Sequence, residues 1–154
     1  MAKIKPQILV TQSIVDRLAE RGEWPETRAE SIEKFLKSLK RDLEWLLNTR
    51  QPIIPNLKSY PQTAKSVLNF GFVDIHSFDG SAGKEQNALT VALEKCIRTF
   101  EPRINQPRVY LTRSDHLSRS LKFHIEGQIF YENMDEEIKF DTVLEMISGE
   151  YEVK

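Results

Sequence analysis

A chain of 154 residues with 40% hydrophobic residues is the size of one domain and can bury a core without disulfides or metal. Its 22 Lys and Arg against 23 Asp and Glu leave a net charge of −1, which argues against the strongly basic balance of a non-specific nucleic-acid binder. The one cysteine, Cys96, excludes an intrachain disulfide and fits a reducing compartment.

Residues 1–26 read as an N-terminal arm, and 27–154 as a single domain. The opening Met1-Ala2-Lys3-Ile4-Lys5-Pro6 lacks an apolar signal core, and no apolar run approaches the ~18 residues of a membrane span. A cytoplasmic protein with no membrane insertion is expected. The arm carries Pro6, Gly22 and Pro25 and one short apolar cluster at helical spacing, Ile14, Val15 and Leu18. Such a cluster suits docking on a partner.

The first strong helix is expected over residues 27–49. Thr27 and Glu30 form a capping box: the hydroxyl takes an orphan N–H and the carboxylate reaches back. Ile32, Phe35, Leu36, Leu39, Leu43, Leu46 and Leu47 recur at three and four, so one stripe is apolar. At ~1.5 Å per residue the helix is about 30 Å long, enough to pack across a sheet. Pro52 stops it, and a loop with three prolines fills residues 51–65. A short helix is expected over 63–70, closed by Gly71 as a left-handed cap. Residues 79–83 read as a turn, and the second strong helix covers 84–100, with Leu89, Ala92, Leu93, Cys96, Ile97 and Phe100 as its stripe. Pro102 ends it and pushes Glu101 toward extended geometry.

Beyond Pro102 the period changes to two. Residues 108–112 make one strand. In the next, Leu121, Phe123, Ile125 and Ile129 alternate with Lys122, His124, Glu126 and Gln128, so one face is buried and one wet. Gly127 reads as a bulge marker. Ile138, Phe140, Thr142 and Leu144 form a third alternating run, and Tyr151 to Val153 a possible fourth. Helices first and strands after give an α+β fold, with N-terminal helices on one face of a small C-terminal antiparallel sheet of three to four strands. The far face, with Lys122, His124, Glu126 and Lys139, is left to solvent or a partner.

Motifs for chemistry are missing. Gly80-Ser81-Ala82-Gly83-Lys84 has two residues between its glycines where a phosphate loop needs four, and Glu85 follows where a hydroxyl is required. His76, His116 and His124 lack metal-ligand spacing, and there is no second cysteine. Cys96 sits mid-helix without an activating setting. Asp42 and Glu44, two apart on a helix, point in different directions and do not form an acid pair for glycoside hydrolysis. Arg98, Arg103, Arg108, Arg113 and Arg119 are scattered over different elements. No cofactor, metal, small-molecule ligand or nucleic acid is expected, and no enzymatic activity. What stands out is Glu101-Pro102-Arg103, a stiff corner whose arginine fork can hold a carboxylate by two bonds. Two readings stay open. The charged pair ties the helix end to the sheet or to the Asn48-Thr49-Arg50 corner, or it meets a charged patch on a neighbouring subunit.

Four segments stand together: Ser13 through Leu18, Asp42 through Arg50, Ser66 through Ile75, and Phe100-Glu101-Pro102-Arg103-Ile104. In combination they resemble TssE, the small baseplate subunit of type VI secretion systems, similar to the gene-25 family of phage baseplate wedges long labelled lysozyme-like. With the alternating strands, the likeness spans about residues 13–147. It departs at Phe72-Val73, where the family more often has Leu-Pro.

The resemblance implies a structural subunit that sits in the wedge beside TssF, TssG and TssK, at a baseplate docked on the inner membrane. There it templates the first ring of the TssB–TssC sheath. Glu101, Pro102 and Arg103 would then lie at a subunit contact, with Ile14, Val15, Asp16 and Leu18 anchoring in the wedge. Asn48, Arg50, Asn69, Gly71 and Asp74 would be structural. The rival readings are a soluble adaptor that binds a response regulator and, more remotely, a muramidase.

Overall fold

The computed structural model describes residues 13–19, 24–73, 83–115, 120–131, 134–145 and 150–153. It divides into two compact units, Met1–Asp42 and Leu43–Lys154.

The first unit holds α1 (Ile14–Ala19) and the start of α2 (Arg28–Asn48). Ser13 caps α1: Asp16 N–H donates to its hydroxyl at 3.2 Å, and that hydroxyl donates back to Asp16 Oδ2 at 2.6 Å. The capping box on α2 forms as expected. Glu30 N–H donates to Thr27 Oγ1 at 3.2 Å, and Glu30 Oε2 accepts from the Glu26 and Thr27 N–H groups. Along α2, Phe35, Leu39, Leu43, Leu46 and Leu47 are buried, as the three-and-four spacing requires.

The second unit begins with the end of α2. Three single 3-10 turns follow, Leu57–Ser59, Thr63–Lys65 and Val67–Asn69. The short helix expected over 63–70 is therefore two turns, broken where Ser66 is extended at φ −89°, ψ 167°. Ser66 Oγ caps the second by accepting from Leu68 N–H. A serine that bonds the backbone locally competes with helix propagation, which is why the run does not merge. Gly71 does not act as the helix cap. Phe70 closes the turn in extended geometry, and Gly71, at φ +116°, belongs to a close backbone crossing described below.

Helix α3 (Gly83–Phe100) leads into four antiparallel strands, β1 (Ile104–Asp115), β2 (Ser120–Tyr131), β3 (Met134–Glu145) and β4 (Glu150–Val153), in spatial order β1-β2-β3-β4. The class is α+β. Direct register partners share a face, so Ile104 with Ile129, Val109 with Ile125, and Phe123 stand on one side together with Tyr151 and Val153. All are buried, and α3 lies against β1, burying Leu89, Leu93, Cys96 and Ile97. Each such aliphatic side chain contributes about 1.5–3 kcal/mol when fully buried. The opposite face carries Arg108, Tyr110, Lys122 and Gln128, all exposed, and half-buried His124 and Glu126.

Gly127 is not in a bulge. It faces one: β1 is irregular between Asn105 and Arg108, where Gln106 has φ +48°, while β2 runs evenly through Gly127. A Cβ on Gly127 would lie 2.3 Å from Ile104 Cγ2, so the glycine makes room for the bulged strand.

Candidate functional site at the helix-to-strand corner

The segment Glu101-Pro102-Arg103 is the turn that ends α3 and starts β1. Glu101 N–H closes the last helical bond, to the Ile97 carbonyl at 2.8 Å. Ile104 N–H then donates to the Glu101 carbonyl at 3.1 Å, so residues 101–104 form a four-residue turn with proline at its second position. Within it the two charged residues find each other. Arg103 Nε donates to Glu101 Oε1 at 2.7 Å and Nη2 to Oε2, and the Arg103 N–H also donates to Oε1 at 3.3 Å. The Glu101 side chain is only 7% exposed and that of Arg103 27%. The two charged residues thus hold each other across the proline. They form a fork within the turn, with Pro102 exposed at its tip.

The Ser66–Val73 stretch is held against the end of α2. Phe72 N–H donates to the Thr49 carbonyl at 2.7 Å, and Gln51 N–H to the Phe72 carbonyl at 2.8 Å, a parallel bridge between Arg50 and Phe72. Gly71 lets the chains cross this closely. Asn69 is buried: its Nδ2 donates to the Ala64 carbonyl at 3.0 Å, while Gln51 Nε2 donates to the Asn69 carbonyl at 3.2 Å. Phe72 stacks edge-on against Tyr151 at 5.9 Å. Cys96 Sγ donates to the Gly71 carbonyl at 3.4 Å, and burial pushes the thiol up to about 12, so it is a packing residue and a poor nucleophile. Asp74 lies outside the described residues, as do His76, His116 and most of the 79–83 turn.

A cavity of about 730 Å³ opens between the 51–73 segment and α3, lined by residues such as Ile54, Leu57, Asn69, Phe72 and Phe100. None of its lining residues is Asp or Glu, so the acid pair of a glycosidase does not sit there. Among the described residues no cluster of His, Cys, Asp or Glu suits a metal ion.

Against this geometry stands a family match. A model of the baseplate wedge protein gp25 family matches residues 33–134, well over half of the chain. The chain belongs to the baseplate wedge protein gp25 family. Its role is accordingly structural and wedge-like, and its partners are of the baseplate wedge complex. The matched span contains the Glu101–Arg103 fork, the Arg50–Phe72 bridge and the first two strands. No curated protein matches the chain. Among the described residues no helix is long and apolar enough to cross a membrane.

Outside the matched span, α1 leaves Ile14 73%, Val15 54% and Leu18 82% exposed, so its apolar side faces solvent in the isolated chain. Asp16, named with them from the sequence, turns the other way. Its carboxylate is gripped by Arg41 of α2, and this holds it well below the ordinary carboxylate range, at about 2. A depressed acid pKa stabilises the folded contact above the unfolded value, and that contribution disappears as pH falls from ~4 through the folded value. A ¹³C titration of the Asp16 carboxyl should therefore give a midpoint near 2 that Arg41→Ala moves up toward ~4. A midpoint near 4 in the unaltered protein would mean that the Arg41 clasp does not form in solution.

The tasks of three side chains are not legible in the sequence. The Asn48 side-chain amide bonds both the N–H and the carbonyl of Tyr151 on β4. Glu44, one turn earlier, accepts from Val153 N–H at 3.1 Å, and Glu94 of α3 accepts from Val109 N–H at 3.0 Å on β1. The i,i+4 spacing of Glu44 and Asn48 was a visible signal, since it puts both on one side of the helix.

Proposed function

We propose that this chain is the small wedge subunit, of the TssE kind, in a type VI secretion (contractile injection) baseplate. It joins TssF, TssG and TssK and templates assembly of the TssB–TssC sheath. The match to the baseplate wedge protein gp25 family carries this reading, and the four TssE-like segments favour the secretion apparatus as its setting. On this reading it works in the cytoplasm at the membrane-docked baseplate. Residues 1–26 form the arm and 27–154 the wedge domain. The exposed Ile14, Val15 and Leu18 anchor in the wedge, and an apolar helix face left in water suits that task.

Glu101, Pro102 and Arg103 make the contact that starts the sheath. The internal fork supports this by fixing the shape of the corner before any partner arrives, so little ordering entropy is lost on docking. The sheet supplies the second element, because an edge strand offers a row of backbone groups to which a partner strand can add. No cofactor, small molecule or nucleic acid takes part.

Co-expression with the wedge and sheath subunits tests the reading. The unaltered chain should co-elute with the wedge on size-exclusion chromatography and support sheath assembly, while Glu101→Ala and Arg103→Ala should retain the wedge and lose the sheath. Normal sheath assembly by both variants would remove the corner from the function, and failure of the unaltered chain to join the wedge would remove the reading itself.

A further inference from the structure

The cavity between the 51–73 segment and α3 joins an apolar lining to a one-sided charge. The chain holds 23 Asp and Glu, yet residues 51–73 contain neither, and their charged residues are Lys58 and Lys65. On the other wall, Ala92, Lys95, Cys96, Thr99 and Phe100 recur at three and four, so one stripe of α3 faces the space. Phe100 stacks edge-on against Phe70 at 5.6 Å, which holds the aromatic end of that wall in place. Among the described residues that line the cavity, Lys95 alone is charged. It is exposed, and among the described residues no carboxylate forms an ion pair with it.

The apolar surface does not stop at the cavity. Ile53, Tyr60, Val67, Leu68 and Val73, all on the same segment, are exposed. Large apolar side chains gathered in water on one short stretch mark an interaction surface. The cavity, about 730 Å³, has room for bulky side chains. A small molecule would fill it and leave the exposed residues of the segment uncovered, whereas a protein segment fills the one and covers the others. Its charge must be negative, because the segment and Lys95 offer only cations to it.

We propose that this cavity is the seat of an acidic, apolar segment of a wedge partner. A bulky apolar side chain enters between the 51–73 segment and α3, and a neighbouring carboxylate pairs with Lys95. This rests on the wedge-subunit reading above and gives the wedge a second hold on the chain, besides Ile14, Val15 and Leu18. The two parts of the contact have different tasks. The inserted side chain leaves water completely and supplies most of the affinity. Lys95 stands at the rim, so its ion pair steers the partner and sets the direction in which the segment lies.

The test places a photo-crosslinking amino acid at Ser59, an exposed residue of the cavity lining. The full-length variant is co-expressed with the cognate wedge and sheath subunits and irradiated. Mass spectrometry should find the adduct on a wedge subunit, in a segment where a bulky apolar residue adjoins Asp or Glu. In parallel, Lys95→Glu sets like charges against each other and should weaken wedge retention at least about tenfold at unchanged Tm. Replacing the acid of the crosslinked wedge segment with lysine should restore it, and the crosslink carries the test if Lys95→Glu fails to fold. An adduct on the sheath, on a second copy of this chain or on a wedge segment without an acid overturns the assignment of the cavity. So does the lack of any adduct while the wedge co-elutes, or parental retention by Lys95→Glu. These results leave the wedge reading standing, whereas failure of the unaltered chain to join the wedge overturns both.

Discussion

Arg103→Ala is expected to lower the unfolding free energy by about 3–5 kcal/mol, because it leaves a buried carboxylate without its partner. The Glu101 side chain is 7% exposed and takes two guanidinium bonds and a main-chain N–H from Arg103. With the guanidinium gone, that carboxylate keeps only the Arg103 main-chain N–H, 3.3 Å from Oε1. In a chain of this size ~1 kcal/mol moves Tm by about 2–4 °C, so a drop on the order of 10 °C should be seen by calorimetry. Replacing both residues with apolar ones of similar length, Glu101→Met with Arg103→Met, should return most of that loss, since removing both charges removes the desolvation penalty with the attraction.

The double variant also separates stability from contact. A protein that melts normally but no longer starts a sheath places the charges in the partner interface. One that melts normally and assembles shows that the charges are needed neither for stability nor for the contact. An Arg103→Ala change within about 1 kcal/mol of the parent, as for exposed ion pairs, would mean that the fork is open to water in solution.

Gly71→Ala is the second large effect, about 3 kcal/mol or more. Gly71 has φ +116°, a region that non-glycine residues avoid at a cost of about 1–3 kcal/mol. The added Cβ would also lie 2.4 Å from the Thr49 carbonyl oxygen and 3.1 Å from the Arg50 carbonyl carbon. Both are backbone, so relief requires parting the chains. That breaks the Phe72 N–H bond to Thr49 and strains the Gln51 bond to Phe72. Phe72 would pull away from Tyr151, loosening the link from the 66–73 segment to β4. Gly127→Ala is the useful contrast. Its Cβ meets a side-chain methyl of Ile104, which can shift, so a smaller overpacking cost of about 1–3 kcal/mol is expected. Urea denaturation of the two variants should rank Gly71→Ala as the less stable; the reverse order would show that the crossing relaxes more easily than a packed strand pair.

Periodicity carried the regular elements. Phe35, Leu39, Leu43 and Leu46 lie on one helical stripe and are buried; Phe123, Ile125 and Ile129 lie at strand spacing and are buried as well. Thr27 and Glu30 cap where their spacing says they should, because a cap needs only residues three apart. The 63–70 run failed as a helix for an equally local reason, the competing hydroxyl of Ser66, but that outcome depends on a balance too fine for spacing to settle.

The sequence alone determined the two long helices and the alternating strands, and that Glu101-Pro102-Arg103 is a stiff charged corner, since those properties arise among residues a few positions apart. Only the tertiary structure decided where the charges go. It folded Glu101 and Arg103 onto each other through the turn, and it brought Asn48 to Tyr151 and Glu44 to Val153 across more than a hundred residues of chain. Contacts of that span are set by how sheet and helices close around a shared core, and chain order carries no local trace of that closure.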